Sequence, residues 1–406
     1  MQLEVINFGC RLNSYESEVI KELFREQNIE LDSEKKIIIF NSCAVTKQAE
    51  DQLCQAIRKA KKENENSIIG VVGCAVQVNK DRYLNMPEVD FLLGNNDKLE
   101  IANYVNFKKH NVVISDVFKE NKTSNKLITG FENRVRAFIQ IQNGCDNKCT
   151  FCLTRLARGY SVSTPSYKII EQVKKLVDNG FKEIVLTGID ISDYGKRLDE
   201  KIDLGILVQK ILKETSLERL RISSIDIANL NEDLENAYKY EKRLMPHIHL
   251  SLQSSDNMIL RRMLRRHTRE QVLEKCHELK NVRKDLVFGA DLIAGFPTET
   301  DEMHKNSVKI IQELPITFGH IFPYSERPET MAAKMPQVPK YIRKQRAKEL
   351  RDEANKNLEK LRQDLKGTVQ KVLVEGKGKG RLENYLQVDI DKDYNKYIGE
   401  IISMTI

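Results

Sequence analysis

Three cysteines close together constrain this chain more than any other feature of its sequence. The segment NGCDNKCTFCLTRLARG, residues 143–159, contains Cys145, Cys149 and Cys152. Thiolates on one short loop can converge on one inorganic core, as they do in iron–sulfur proteins. Three cysteines leave the fourth iron of a 4Fe–4S cube without a protein ligand, so that it can bind a substrate or cofactor. A zinc knuckle is the alternative, but zinc favours four protein ligands, and no second CxxC or HxxxH pair lies nearby.

Three further cysteines, Cys10, Cys43 and Cys74, each end a predicted strand in the first hundred residues. The strands carry apolar runs without alternation, a pattern typical of a parallel sheet that is covered on both faces. The carboxyl ends of parallel strands share one edge of the sheet. We therefore predict that the three thiols meet there and form a second site with three ligands. The alternative is three unrelated buried residues, since free cysteine packs well.

Composition excludes several classes of protein. The chain has 406 residues, of which 40% are hydrophobic and 31% are charged, as in a soluble protein of two or three domains. No run of eighteen apolar residues and no signal peptide is visible, so we expect a cytoplasmic location and no membrane association. Eight cysteines in such a chain favour metal ligation over disulfides. Cys54 and Cys276 lie inside helical patterns and are interpreted as ordinary thiols.

The pattern of strands and helices predicts an α/β protein of three parts. An α/β domain with a parallel sheet is expected over 1–104, and residues 105–130 are expected to form a polar linker or a peripheral strand pair. Six alternations of strand and helix over 131–365 predict a partial (β/α)6 barrel of the TIM type, followed by a helix. In such barrels the active groups lie at the carboxyl ends of the strands. A short OB-like β segment is expected over 366–406.

Finer expectations concern helix ends, loops and charge. Ser14 is predicted to cap the first helix, and the helix over 337–365 is predicted to pack its apolar stripe on the barrel. The β segment is expected to contain three strands and an unpaired edge, with KGKGR, residues 377–381, as a basic loop. The net charge of +7 indicates nucleic acid only weakly, because a solvated lysine-rich surface would give the same balance.

The CxxxCxxC loop, with Phe151 before its last cysteine, resembles the cluster loop of radical S-adenosylmethionine (SAM) enzymes. The resemblance implies that the open iron binds SAM and that an electron from the cluster cleaves SAM to a 5′-deoxyadenosyl radical.

Over nearly its whole length the chain resembles the methylthiotransferases, which carry two clusters and insert a methylthio group at an unactivated carbon. The motifs that carry this resemblance are GCRLNSYESE, NSCAVTKQAE, VVGCAVQ, VLTGIDISDYG, RISSID, HLSLQS, RRMLRRHTRE, DLIAGFPTET and HIFPYSERPETMAAKMP. They are most similar to the subgroup that acts on N6-threonylcarbamoyladenosine beside the tRNA anticodon. Sister subgroups act on isopentenyladenosine in tRNA or on an aspartate of a ribosomal protein. The C-terminal segment resembles the RNA-binding TRAM domain.

The resemblance implies a role for particular residues. Both cysteine triads would hold a 4Fe–4S cluster, and SAM would be the second cofactor. The residues expected around the SAM pocket are Phe151, Gly188, Ser223, Ser224, Gln253 and Arg265. No catalytic residue is expected beyond the cluster ligands, so His247, His249 and His320 are interpreted as strand-packing or pocket-lining residues. The anticodon loop of tRNA is the expected partner, and the sequence leaves the electron donor and the sulfur source open.

The chain also departs from the family pattern. Arg155 and Leu156 replace a proline and an aromatic residue after the cluster loop, and Val162 replaces an arginine. Ser255 and Thr298 stand where glycines are usual, and they tolerate glycine backbone angles poorly. These departures leave a second class of function open, a protein that keeps its clusters and RNA binding without turnover. The run of arginines at 261–266 has two interpretations, contact with phosphate or SAM or an exposed helix face.

Overall fold

The computed structural model describes residues 2–26, 36–104, 111–124, 126–132 and 134–406. The N-terminal strands and helices are β1 (Gln2–Asn7), α1 (Arg11–Glu26), β2 (Lys36–Ser42), α2 (Lys47–Glu63), β3 (Ile68–Gly73), α3 (Cys74–Val78), α4 (Lys80–Leu84), β4 (Phe91–Leu93) and β5 (Asn111–Val113). The five strands form one parallel sheet in the order β1-β2-β3-β4-β5. Buried runs such as that of β2 lie between helices, as the continuous apolar patterns predict.

The start of the first helix differs from expectation. The first helix begins at Arg11, one turn before the predicted cap, and the amide of Ser14 bonds the Cys10 carbonyl at 3.0 Å. Ser14 therefore lies inside the first turn. In the segment expected to be a linker or a peripheral strand pair, residues 105–110 lie outside the described part of the chain, and Asn111–Val113 form an edge strand that pairs with β4. A three-residue edge strand that begins with asparagine is too short to give a periodic signal.

The second region contains the predicted repeat of strands and helices. Its elements are β6 (Arg136–Gln140), β7 (Gln142–Asn143), α5 (Thr154–Arg158), β8 (Val162–Ser163), α6 (Ser166–Asp178), β9 (Glu183–Thr187), α7 (Leu204–Glu214), β10 (Arg219–Ile222), β11 (Ser224–Ile225), α8 (Glu232–Tyr240), β12 (His247–Gln253), α9 (Asn257–Arg262), α10 (Arg269–Val282), β13 (Val287–Ala294), α11 (Asp301–Glu313), β14 (Ile316–Pro323) and α12 (Lys340–Leu365). The parallel strands run in the orders β6-β9-β10 and β11-β12-β13-β14, and β11 follows β10 after one residue. This arrangement confirms the six-stranded partial barrel.

Helix α12 packs along the barrel as its apolar stripe predicts. It begins at Lys340 rather than at 337, because Pro339 caps it with an extended backbone. Ala347, Leu350 and Ala354 are buried in the same core as the barrel strands. The last turns of the helix pack instead against the C-terminal strands.

The C-terminal segment forms a four-stranded antiparallel sheet, so the expectation of three strands was wrong. Its strands are β15 (Val369–Gly376), β16 (Lys379–Leu382), β17 (Gln387–Asp389) and β18 (Ile401–Thr405), in the order β17-β16-β15-β18. The predicted basic loop is a two-residue turn, since only Lys377 and Gly378 lie outside the strands, with φ values of 55° and 69°. Positive φ at both positions is the geometry of a type I′ hairpin turn. Arg381 is inside β16 and pairs with Glu375 at 2.8 Å.

The C-terminal sheet attaches at the amino ends of the barrel strands through a buried carboxylate. Glu183 lies 3.0 Å from Arg221 and 3.6 Å from Arg219, and all three side chains are buried. These arginines also donate to backbone carbonyls of the C-terminal segment, those of Lys371, Arg381 and Glu383. Burial alone would raise the pKa of Glu183, but the arginine charges outweigh it and lower that pKa.

We expect Glu183→Gln to lower the free energy of unfolding by about 3–5 kcal/mol, because it leaves buried guanidinium groups without a counter-charge. Urea unfolding measures this loss. Glu218→Gln is the matched control, since its surface pair with Lys182 contributes at most about 1 kcal/mol. The contribution of Glu183 is complete above the pKa of an unfolded glutamate, about 4.3, and is lost as the pH falls through its lower folded pKa. Equal losses in the two variants would contradict a structural role for the buried carboxylate.

Candidate active site with two cysteine triads

The N-terminal cysteine triad, Cys10, Cys43 and Cys74, lies at one edge of the first sheet. Cys43 and Cys74 directly follow β2 and β3, and Cys10 follows β1 after two residues. These strands are neighbours and parallel, so their carboxyl ends deliver the three residues to one place. The loops approach closely: a Cβ atom on Gly9 would lie 3.2 Å from the Cβ atom of Cys43.

The surroundings of Cys43 favour its neutral thiol. Burial is the main cause that raises the pKa of Cys43 to about 12, and the neighbouring Cys74 and Cys10 contribute to the same shift. A metal ligand must be a thiolate, so metal binding at such a site releases protons.

The loop triad, Cys145, Cys149 and Cys152, lies between β7 and α5, after the first barrel strand. The Cys145 amide closes the loop on the Gly159 carbonyl at 3.1 Å. Gly144 has φ +68°, and a Cβ atom there would lie 2.0 Å from the Tyr160 carbonyl oxygen. Only glycine permits this approach, which brings the start of the loop against its end.

One arginine connects the loop triad to the fourth barrel loop. Arg265 Nη1 lies 3.7 Å from Cys149 Sγ, and Nη2 donates to Asp226 at 3.0 Å and to the Ser251 carbonyl at 2.7 Å. Burial would raise the pKa of Asp226, but the hydrogen bond from His267 and the charge of Arg265 outweigh it and lower the pKa to about 2. Among the described residues, Arg265 Nε is buried without a hydrogen-bond partner.

A second carboxylate, Asp190, lies 3.9 Å from Cys145 Sγ. Burial raises its pKa to about 6, and the like charges of Asp193 and Asp226 add to the shift. Asn147 donates to this carboxylate at 2.7 Å. The open side of the loop triad therefore offers both an arginine and carboxylates to a polar ligand.

Four of the six residues expected around a SAM pocket lie at carboxyl ends of barrel strands, whereas Arg265 lies after α9 in the fourth barrel loop. Gly188 follows β9, Ser223 and Ser224 follow β10, and Gln253 ends β12. Gln253 has φ 66°, a conformation that costs a non-glycine residue energy and is concentrated at functional sites. Phe151 instead packs on Phe296, with ring centroids 6.4 Å apart, in the apolar cluster that supports the loop.

Thr298 and Ser255, which stand where the family usually has glycines, differ in backbone conformation. Thr298 has φ 72°, so threonine occupies a backbone conformation that favours glycine. Arg262 Nη1 donates to its hydroxyl at 2.6 Å, and its amide donates to the Pro336 carbonyl at 3.0 Å. Ser255 has no positive φ, and its hydroxyl donates to the Asn306 carbonyl at 2.7 Å.

The residue that joins the two triads, Arg158, is not among those predicted from the sequence. Arg158 ends α5, six residues after Cys152, and is buried. Its Nε donates to Cys74 Sγ at 3.2 Å, and its two Nη atoms donate to both carboxylate oxygens of Glu16 at 2.7 and 2.9 Å. It also donates to Asn13 and Asn143, at 2.9 and 3.0 Å. One side chain thus contacts both cysteine-bearing regions.

Lys98 completes this network through its own contact with Glu16. Its Nζ lies 2.6 Å from Glu16 and 3.2 Å from Asn41, and the side chain is buried. Burial would raise the pKa of Glu16, but the charges of Arg158 and Lys98 outweigh it and lower the pKa to about 2. The network contains two cationic side chains and one carboxylate. Buried charge needs a partner, and the sulfur of Cys74 lies where an anionic group would balance it.

Both triads fit iron–sulfur clusters by the chemistry of their donors. Each supplies three sulfurs, and each has one sulfur facing a guanidinium group, Cys74 with Arg158 and Cys149 with Arg265. The Thr154 amide also lies 3.4 Å from Cys152 Sγ. N–H groups directed at ligand sulfurs are typical of iron–sulfur sites.

Comparison with known proteins places this site in a class. The model of the radical SAM superfamily matches residues 139–311, and that of Uncharacterized protein family UPF0004 matches residues 2–94. The fold resembles the radical SAM methyltransferase TsrM of Kitasatospora setae, with a TM-score of 0.59 at 11% identity over 82% of this chain and 75% of that one. The chain is a radical SAM enzyme, a class that uses SAM and 4Fe–4S clusters.

Whole-chain relatives are more specific. A threonylcarbamoyladenosine tRNA methylthiotransferase MtaB of Rickettsia prowazekii is 45% identical over 97% of this chain and 92% of the relative. One of the same name from Aquifex aeolicus is 34% identical over the full length of both chains. A tRNA-2-methylthio-N(6)-dimethylallyladenosine synthase of Finegoldia magna is 30% identical over 99% of this chain and 91% of the relative. The chain belongs to the radical SAM methylthiotransferase family.

Where the described helices are concerned, none is long and apolar enough to cross a membrane.

Proposed function

We propose that this protein is a tRNA methylthiotransferase that converts N6-threonylcarbamoyladenosine beside the anticodon into its 2-methylthio derivative. The observation that carries this proposal is the pair of three-cysteine sites joined by Arg158. The name of the substrate comes from relatives, one of them 45% identical over nearly the whole chain. Relatives that act on dimethylallyladenosine reach 30–31% identity, which makes isopentenyl-type adenosine the second candidate.

We assign the loop triad to the cluster that binds SAM and the N-terminal triad to the auxiliary cluster. When bound, the two clusters and SAM supply the radical, the sulfur and the methyl group. The domains that carry them are 1–104 and 131–365, with the RNA-binding segment over 366–406. The strand ends that would contact SAM carry Gly188, Ser223, Ser224 and Gln253. Arg265 contacts both the Cys149 sulfur and the Ser251 carbonyl and so fixes their relative position.

The chain's own residues supply position and charge. Arg158 fixes the distance between the two sites. It is on α5, the helix that follows the loop triad, and its guanidinium group contacts Cys74 and Glu16. Arg265 and the carboxylates of Asp190 and Asp226 orient a polar ligand beside Cys145 and Cys149. The net charge of +7 supports binding to the phosphates of tRNA. We place the reaction in the cytoplasm, where tRNA is modified.

Mass spectrometry of nucleosides tests the reaction. Anaerobically reconstituted protein with SAM, a reductant, a sulfur source and tRNA carrying threonylcarbamoyladenosine is expected to form the 2-methylthio nucleoside. Cys149→Ala removes a proposed ligand and is expected to abolish both the product and deoxyadenosine. Cys276→Ala is the matched control, since that thiol is on α10, is buried in the barrel core and is far from either triad in the chain. Product from isopentenyladenosine tRNA alone would overturn the substrate assignment.

Cys43→Ala separates the two proposed sites. We expect this variant to keep SAM cleavage to deoxyadenosine and to lose the methylthio product, because it removes a ligand of the auxiliary site only. Iron content should fall by about half from the eight atoms of two 4Fe–4S clusters. Loss of deoxyadenosine with iron retained in the loop triad would contradict the assignment.

Arg158→Met removes a hydrogen bond and a positive charge from Cys74, so we expect a more negative reduction potential for the auxiliary cluster. A redox titration followed by electron paramagnetic resonance measures it, in chains whose three loop cysteines are replaced by alanine. Arg155→Met is the control, because that side chain lies on the same helix over the rings of Phe118 and Tyr160. An unchanged potential in a folded Arg158→Met chain would show that the contact does not tune the cluster.

A further inference from the structure

Three side chains of the barrel wall form a cluster that neither cysteine triad includes. His249 on β12, Asp291 on β13 and His320 on β14 lie on three neighbouring parallel strands. His249 Nε2 is 3.1 Å from Asp291 Oδ1, and His320 Nδ1 is 3.0 Å from the same oxygen. The three candidate ligand atoms all lie within 4.8 Å of one another. We call this cluster the lumen triad.

The lumen triad faces the interior of the barrel. Along β12, Ile248, Leu250 and Leu252 are buried in the core that includes the surrounding helices, whereas His249 and Gln253 are only partly buried. Alternate residues of a strand point to opposite faces, so His249 shares the inner face with Gln253. Gln253 is four residue steps beyond His249, which is about 13 Å along a strand. The lumen triad therefore lies below the level of the proposed SAM residues.

The strand register makes room for these ligands. A Cβ atom on Gly289 would lie 2.5 Å from His249 Nδ1, so the histidine ring occupies space that only a glycine leaves free. His320 retains 66% exposure of its side chain, whereas Asp291 retains 22% and His249 15%. Asp291 and His249 form an enclosed base, and His320 forms the side that opens on the lumen.

The donor set has the composition of a transition-metal site. Two imidazoles and one carboxylate with open positions bind Fe²⁺, and two histidines with a carboxylate and water bind Zn²⁺. Metal–ligand distances of about 2.0–2.2 Å place neighbouring ligands about 3.0–3.4 Å apart at the usual bond angles. Both nitrogen–oxygen separations in the lumen triad are 3.0–3.1 Å. Among the described residues, Asp291 has ion-pair contacts only with the two imidazoles, so no lysine or arginine occupies the position of a cation.

We propose that the lumen triad binds one divalent transition-metal ion, with Zn²⁺ or Fe²⁺ as the fitting class. The ion takes His249 Nε2, Asp291 Oδ1 and His320 Nδ1 and keeps its remaining positions toward the lumen, where an oxygen of a substrate can reach it. Coordination uses the lone pair of each of these ring nitrogens, so each neutral imidazole carries its proton on its other nitrogen. This inference does not depend on the identity of the modified nucleoside.

Zinc binding to the reconstituted holoenzyme tests the proposal. Equilibrium dialysis against micromolar Zn²⁺, followed by elemental analysis, should give one zinc per chain with the iron content unchanged. His320→Gln and Asp291→Asn should each weaken binding by at least about tenfold, as the loss of a direct ligand should cost at least as much as the loss of an outer-shell partner. His304→Gln is the matched control, since His304 contacts a carboxylate, Glu349, at 2.7 Å but belongs to no such cluster among the described residues.

The outcomes are distinguishable. One zinc in the wild type and in His304→Gln, with none in the two lumen variants, supports the site. Zinc content that is equal in the wild type and in both lumen variants overturns it, and so does zinc gained only as iron is lost, since that metal would be in the cysteine triads. Thermal unfolding verifies that the lumen variants are folded, and two substitutions of different chemistry keep the result from depending on one of them.

Discussion

The contact between Arg158 and Glu16 determines how the two halves of this protein meet. Arg158 is on α5, the helix that follows the loop triad, whereas Glu16 is on α1, the helix that follows Cys10. Both side chains are buried, so neither charge can be solvated if the other leaves. An uncompensated buried charge costs several kcal/mol, which is a large share of the stability of a protein. The relative position of the two triads is therefore fixed by an interaction that the fold cannot readily lose.

The two triads bring three cysteines together in different ways. The loop triad is local, because three cysteines within eight residues need only one short loop. The N-terminal triad is non-local, because its cysteines come from three parallel strands and depend on the register of the sheet. In each, one arginine contacts one sulfur, at 3.2 Å in the first sheet and at 3.7 Å in the barrel. Positive charge beside a ligand sulfur favours the thiolate and tunes the metal centre, so the similarity follows from chemistry rather than from the fold.

The sequence contains most of the fold and all six cysteines, but not the groups that connect them. Strand-ending cysteines are visible because apolar runs locate the strands and parallel sheets bring their ends together. Arg158 and Glu16 stand inside the motifs that carry the family resemblance, yet nothing in their spacing shows that they form a pair. Lys98 lies in a polar stretch without periodicity, so its burial depends on tertiary packing alone. Two of the incorrect expectations, the cap at Ser14 and the basic loop at 377–381, concern boundaries, where one carbonyl or one type I′ turn decides the outcome.

The amino ends of the barrel strands are closed by Tyr385, and this closure gives the lumen a floor. Its ring stacks on the buried His247 with centroids 4.6 Å apart, and Arg11 donates to its hydroxyl at 2.9 Å. Arg221 and Arg381 lie over the same ring, 5.1 and 4.7 Å from its centroid. Cations over an aromatic face are stabilised most where water is excluded, so this arrangement favours a dry, rigid base. The polar groups of the lumen begin two residues above His247, at His249. The amino ends of the barrel strands thus contribute stability, and their carboxyl ends carry the chemistry. The lumen triad, with the composition of a metal site, lies between the two ends.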